Sequence, residues 1–145
     1  MKINVGNEEV ELDSEILNFN EASLNEFLTK DAGYYSYFHS KMIDAQYILT
    51  QHENALEATY SAKFREYKEN GATDKMSEAM AKSDQDVVVI KEKVRNAKRC
   101  KDYLWGFLKS LDKAHENALN LGYNVRKEMN VFQNQHVKSL EDILN

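Results

Sequence analysis

Residues 87–118 read VVVIKEKVRNAKRCKDYLWGFLKSLDKAHENA. Within them Val87, Ile90, Val94, Ala97, Lys101, Leu104, Leu108, Leu111, His115 and Ala118 recur at alternating spacings of three and four. That spacing lines them along one stripe of an α-helix, interrupted only by Lys101 and His115. A heptad stripe of this length needs a facing helix. Upstream, Tyr35, Phe38, Met42, Ala45, Leu49, His52, Leu56 and Thr59 repeat the same pattern. Two long helices, over residues 34–70 and 83–121, are therefore predicted to fold back on each other as an antiparallel hairpin.

The punctuation between them fits. Gly71 is expected to close the first long helix as a C-cap. Thr73 is expected to cap a short helix running to about Lys82. Ser83, with Asp86 three residues on, resembles a capping box for the second long helix, and Asp84 and Asp86 suit its positive N-terminus. Gly122 is expected to break that helix, leaving 123–145 as a C-terminal helical segment. Asn20 precedes EASLNEFLTK, which reads as a short capped helix ending near Gly33. MKINVGNEEVEL offers a short strand or hairpin around Gly6-Asn7. The expected fold is one all-α domain over 1–145, a long antiparallel helical hairpin with short flanking helices. The length of the stripe also suits oligomerisation through helices, with Leu104, Leu108 and Leu111 as candidate interface residues; an intramolecular core uses the same stripe.

Composition agrees with a folded helical domain. The 145 residues are 42% hydrophobic and 30% charged, with no Pro and five Gly, so little interrupts a helix. A single Cys, Cys100, excludes an intrachain disulfide framework or a multi-cysteine zinc site. With neither a signal peptide nor a long apolar run, the chain is expected to be soluble and cytoplasmic.

The formal net charge is −5, but it is unevenly distributed. Residues 1–31 form an acidic N-terminal arm with two Lys against eight Asp or Glu, a net of −6; the other 114 carry 17 basic and 16 acidic groups, a net of +1. Seven of the twenty residues from Lys82 to Lys101 are Lys or Arg. Lys91, Arg95 and Arg99, four apart, share a helical face with Lys98 beside them. At the end of the first long helix, SAKFREYKENG interleaves Lys63, Arg65 and Lys68 with Tyr60, Phe64 and Tyr67. Cations among aromatics suit single-stranded nucleic acid, whose phosphates pair with charge and whose bases stack on rings. Lys63 and Lys91 lie at similar distances from the turn region, so the two patches are expected near one end of the hairpin, as one track for phosphates.

Catalytic and metal chemistry find little footing. His39, His52, His115 and His136 belong to no HExxH or Glu-x-x-His pattern. HENAL occurs at both His52–Leu56 and His115–Leu119, but the hairpin separates the two histidines by about 13 residues, roughly 20 Å. Packed, hydrogen-bonded histidines are expected there rather than ligands. Cys100 has no catalytic motif around it, and no Gly-rich phosphate loop is present. Neither enzyme activity nor a metal or other cofactor is expected.

The stretch from Tyr34 to Met129 resembles the UvsY-like phage recombination mediators. The likeness rests on the aromatic start YYSYFHSKM, a long helix ending in AKFREY, a polar loop, SDQDV opening the next helix, the apolar DYLWGFLKSLDKA and the turn LGYNVRKEMN. The acidic arm and the low isoelectric point depart from that pattern. The resemblance implies a non-enzymatic protein that binds single-stranded DNA, remodels single-strand-binding protein and loads a RecA-like recombinase. It also implies closed homo-oligomeric rings of about six or seven subunits. Lys63 is the position it matches most directly to a DNA contact. Arg65, Lys68, Lys91, Arg95, Lys98 and Arg99 are added from the charge pattern of this chain. The alternative reading is a helical oligomerisation or adaptor protein whose partner is another protein.

Overall fold

The structure, a computed structural model, describes residues 1–144, and side-chain surroundings through Ser139. It is 83% helical and essentially all-α, with long α1 packed against long α3. In chain order the elements are β1 (Lys2–Val5), β2 (Glu8–Glu11), a 3-10 turn (Ser14–Leu17), α1 (Leu24–Glu69), α2 (Asp74–Ser83) and α3 (Gln85–Leu144). Asn145, the last residue of the expected C-terminal segment, lies outside the described residues. The chain forms two compact units, one of Met1–Leu12 with Tyr37–Phe107 and one of Asp13–Ser36 with the chain from Leu108 onward.

In the first unit the stretch expected as part of an acidic arm is folded. β1 and β2 pair antiparallel, with Ile3 opposite Val10 and Val5 opposite Glu8. Gly6 makes the turn at φ +62°, a conformation L side chains resist. The Met1 ammonium donates to the Leu12 carbonyl at 3.0 Å, and the Leu12 amide donates back to Met1 at 2.7 Å. A lone two-stranded hairpin is marginal in water. Here Val5, Val10 and Leu12 are buried, Lys41 of α1 bonds Glu8 at 2.6 Å, and the Cys100 thiol of α3 meets the Asn4 carbonyl at 3.2 Å. Phe38, Ala45 and Leu49 of α1 and Val87 and Leu104 of α3 are buried in this unit, and the Phe38 and Phe107 rings pack edge-on at 4.7 Å.

Gly71 closes α1 as expected, at φ +93°. Its amide bonds the Lys68 carbonyl and the Ala72 amide bonds that of Tyr67, the paired arrangement of a Schellman cap. Thr73 caps α2 by accepting the Met76 amide. The cap of α3 falls one residue later than expected. Ser83 is the last residue of α2, its hydroxyl turned back to the Ala79 and Met80 carbonyls. Asp84 takes the cap, accepting the Asp86 amide at 2.9 Å. A carboxylate outcompetes a hydroxyl at this position because it also meets the helix dipole.

In the second unit Leu24, Phe27, Ala114 and Ala118 form the core, with Leu17, Phe19, Leu28 and Leu121 packed against them. The Phe19 and Phe27 rings lie 4.6 Å apart. Asn20 and Ser23 cap α1 reciprocally, each backbone amide donating to the other's side-chain oxygen. Neither internal glycine ends its helix. α1 runs through Gly33, so the expected separate short helix is the first turns of α1. α3 runs through Gly122, so 123 onward continues the same helix. Neither glycine has a positive φ, and a glycine inside a helix costs only about 1 kcal/mol against Ala, less than the packing on either side returns. Leu24 approaches to 3.5 Å of where a Gly122 Cβ would sit, so small residues at 114, 118 and 122 bring the helices close.

The stripe is the intrachain core. Leu104, Leu108 and Leu111 are 0%, 1% and 0% exposed within the single chain, so these candidate interface residues already have their partners. Near its far end the stripe takes Ala114 in place of His115 and is back in register at Ala118. Ala114 is buried, and His115 stands half-exposed with its ring against the buried Asp31 carboxylate.

Candidate nucleic-acid interface

All seven candidate DNA contacts lie in the first unit, at the end of α1 and the first half of α3. The structure divides them by what already surrounds each cation.

Lys63 is enclosed by acid. Its ammonium lies 3.3 Å from Glu66, 3.3 Å from Asp86 and 3.7 Å from Asp84. The Glu66 and Asp86 carboxylates raise its pKa further above the already high lysine range. The Tyr67 hydroxyl donates to Asp84 at 2.7 Å. That bond is the main cause of the lowered Asp84 pKa and the raised Tyr67 pKa. Lys63 and Tyr67 therefore fasten the end of α1 to the start of α3, and a phosphate reaching Lys63 would face three carboxylates. The most direct of the expected DNA contacts is thus a tertiary clamp. Lys68 pairs with Asp74 at 2.6 Å. Arg65 is exposed and turned back to the Ser61 carbonyl at 3.4 Å. Tyr60, Phe64 and Tyr67 are half-buried, as packed side chains are.

On α3 the picture differs. Lys91 is half-buried, donates to the Lys82 carbonyl at 3.3 Å, and lines a groove with Glu53 and Glu57. Carboxylates thus lie around both Lys63 and Lys91, and the expected continuous track between them is interrupted. Arg95, Lys98 and Arg99 are exposed. Arg95 is bonded to its neighbour Glu92, a surface pair of the kind worth at most about 1 kcal/mol and easily exchanged. The Arg99 guanidinium donates to the Tyr103 hydroxyl at 3.1 Å and lies 5.6 Å from that ring's centre, which holds it extended along the helix. From Lys91 to Lys101 there are six basic residues and one acid. Arg95, Lys98 and Arg99 are the part of the charge pattern the structure brings together on an open surface.

One feature of this surface escaped the sequence reading. Met42, Ile43 and Gln46 of α1 with Lys101, Asp102 and Trp105 of α3 line an open groove of about 490 Å³. Ile43 and Trp105 are 55% and 49% exposed. Apolar residues lying off the core stripe were the available signal.

Among the described residues no group of three or more His, Cys, Asp or Glu side chains is gathered to hold a metal ion. His115 is bonded to Asp31 across the helices of the second unit, so the histidine of one HENAL copy serves packing. Burial pushes the Cys100 thiol up, away from the reactive thiolate. No described helix is long and apolar enough to cross a membrane. No protein-family model, no curated protein and no solved structure matches the chain.

Proposed function

We propose that this chain is a non-catalytic, single-stranded-DNA-binding protein that serves as a recombination mediator, remodelling single-strand-binding protein and loading a RecA-like recombinase. The observation that carries the reading is the exposed row Arg95, Lys98 and Arg99 on α3, inside a segment of six cations and one acid. Such a row tracks a phosphate backbone despite the acidic total, because charges beyond about 10 Å are screened. The biological role is supplied by the likeness of the Tyr34–Met129 stretch to UvsY-like mediators. Assembly into a ring would multiply a modest patch through effective concentration.

Fluorescence anisotropy of labelled single-stranded and duplex oligonucleotides tests it. Sequence-tolerant, salt-dependent binding that favours the single strand is expected. Absence of binding at low salt, or preference for duplex, would overturn the reading.

One observation favours the second reading, a protein-binding adaptor. In the second unit α3 is exposed from Arg126 to Ser139, with Met129, Phe132 and Val137 at 59%, 71% and 52% exposure. Apolar side chains presented this way mark protein contacts. Under that reading the chain binds a protein through this segment and leaves oligonucleotides alone.

A further inference from the structure

The groove between Met42 and Trp105 lies on the same stretch of α3 as the exposed cations. Arg95, Lys98, Asp102 and Trp105 follow one another at spacings of three, four and three, so they form a single helical row. The row starts with cations and ends in an aromatic. Its last two members, Asp102 and Trp105, line the groove together with Lys101, one residue from the row. Across it, α1 contributes the apolar Met42 and Ile43 and the amide of Gln46.

We infer that this groove is a base-stacking subsite for single-stranded DNA, with Trp105 as the stacking surface. The inference rests on the DNA-binding reading above and assigns it a residue that the charge pattern does not. Every nucleobase presents a π-face, and an indole half in solvent beside an apolar wall gives it a surface to leave water against. The charge arrangement sets which part of a nucleotide enters. The Asp102 carboxylate repels a phosphate, so the backbone runs outside the groove along the exposed Arg95 and Lys98 while the base turns in. Once inside, the base meets Gln46, which can both donate and accept, and Asp102, which accepts from an exocyclic amine. The occupant is therefore a base of a strand whose phosphates lie on the cationic row, and bases that carry an exocyclic amine, such as cytosine or adenine, are favoured over thymine. Duplex DNA is excluded because its bases are stacked on each other.

The chain contains one Trp, so its emission reports this groove alone. The test follows Trp105 emission and the anisotropy of a labelled single-stranded oligonucleotide in parallel titrations of the full chain. The expected result is quenching that saturates together with anisotropy. Trp105→Ala should weaken binding between about fivefold and a hundredfold, the range of one lost base stack, and leave the slope of log affinity against log salt unchanged because no phosphate contact is lost. Trp105→Phe should retain most of the affinity, and circular dichroism checks that both variants are folded. Asp102→Asn should narrow the preference for oligo(dC) over oligo(dT). If anisotropy reports binding while emission stays flat, or if folded Trp105→Ala binds as tightly as the parent, the subsite is wrong and the DNA reading stands. If no anisotropy change occurs, both fall together.

Discussion

Leu108 is 1% exposed within the single chain, on the stripe through which α3 meets α1. Replacing it with Ala removes three carbons, one methine and two methyls, and leaves a cavity that rigid helices close only partly. The cost expected for a fully buried Leu→Ala change is about 3 kcal/mol. Against a domain stability on the order of 10 kcal/mol that is a large fraction, and for a chain of this length it lowers the thermal midpoint by about 10 °C. Leu119 on the same helix is 49% exposed and makes the control, since Leu119→Ala should change stability by less than about 0.5 kcal/mol. Urea and thermal unfolding followed by circular dichroism read both variants, and light scattering during size-exclusion chromatography reads their mass. The reasoning would be refuted if Leu108→Ala kept the parent's midpoint while its mass fell. That outcome would mean the stripe faces a partner and the intrachain packing is not what buries it.

Three further outcomes follow from individual contacts. Asp84 has a lowered folded pKa through its bonds to Tyr67, the Asp86 amide and Lys63, so its contribution is complete above about pH 4, the unfolded value, and is lost as pH falls through the folded pKa. Tyr67 has a raised pKa, so its contribution holds below about pH 10 and is lost as pH rises through the folded value; urea midpoints against pH for Asp84→Asn and Tyr67→Phe should show the acid and alkaline limbs flattened respectively. His115→Ala leaves the buried Asp31 carboxylate without this partner and should cost about 1–3 kcal/mol, and the double variant with Asp31→Ala should cost less than the sum; strict additivity in urea unfolding would show that the pair does not interact. The Ser77 hydroxyl in α2 is buried with no hydrogen-bond partner among the described residues, so Ser77→Ala should leave stability unchanged or raise it by up to about 1 kcal/mol, and a clear loss would contradict that environment.

The long helices were legible because their stripes obey the helical period over many turns, and that period is set by the backbone. Gly71 and Thr73 were legible for a similar reason: caps are local chemistry. Gly33 and Gly122 misled because a glycine signals a possible break, whereas packing by neighbouring turns decides whether the break occurs. The one-residue shift from Ser83 to Asp84 is a contest between two good caps that local sequence leaves nearly balanced. The site was less legible than the fold. Lys63 reads as a free cation among aromatics until the fold brings Asp84 and Asp86, more than twenty residues away, onto its ammonium. The groove at Trp105 joins residues about sixty positions apart, so no local pattern announces it. Asp31 entered the sequence reading only as one of the acids of residues 1–31, and its burial against His115 is again a tertiary fact.

The central claim is that open cations on α3, and not the enclosed Lys63, meet single-stranded DNA. Salt titrations of binding with the triple variant Arg95→Ala, Lys98→Ala, Arg99→Ala test it most directly. Three lost phosphate contacts should flatten the slope of log affinity against log salt by about 2, at about 0.7 per contact, and weaken binding at every salt concentration. Lys63→Met, in the same assay, should leave the slope unchanged while it lowers the unfolding midpoint. A triple variant with the parent's affinity and slope, or a slope that responds to Lys63→Met alone, would contradict the account.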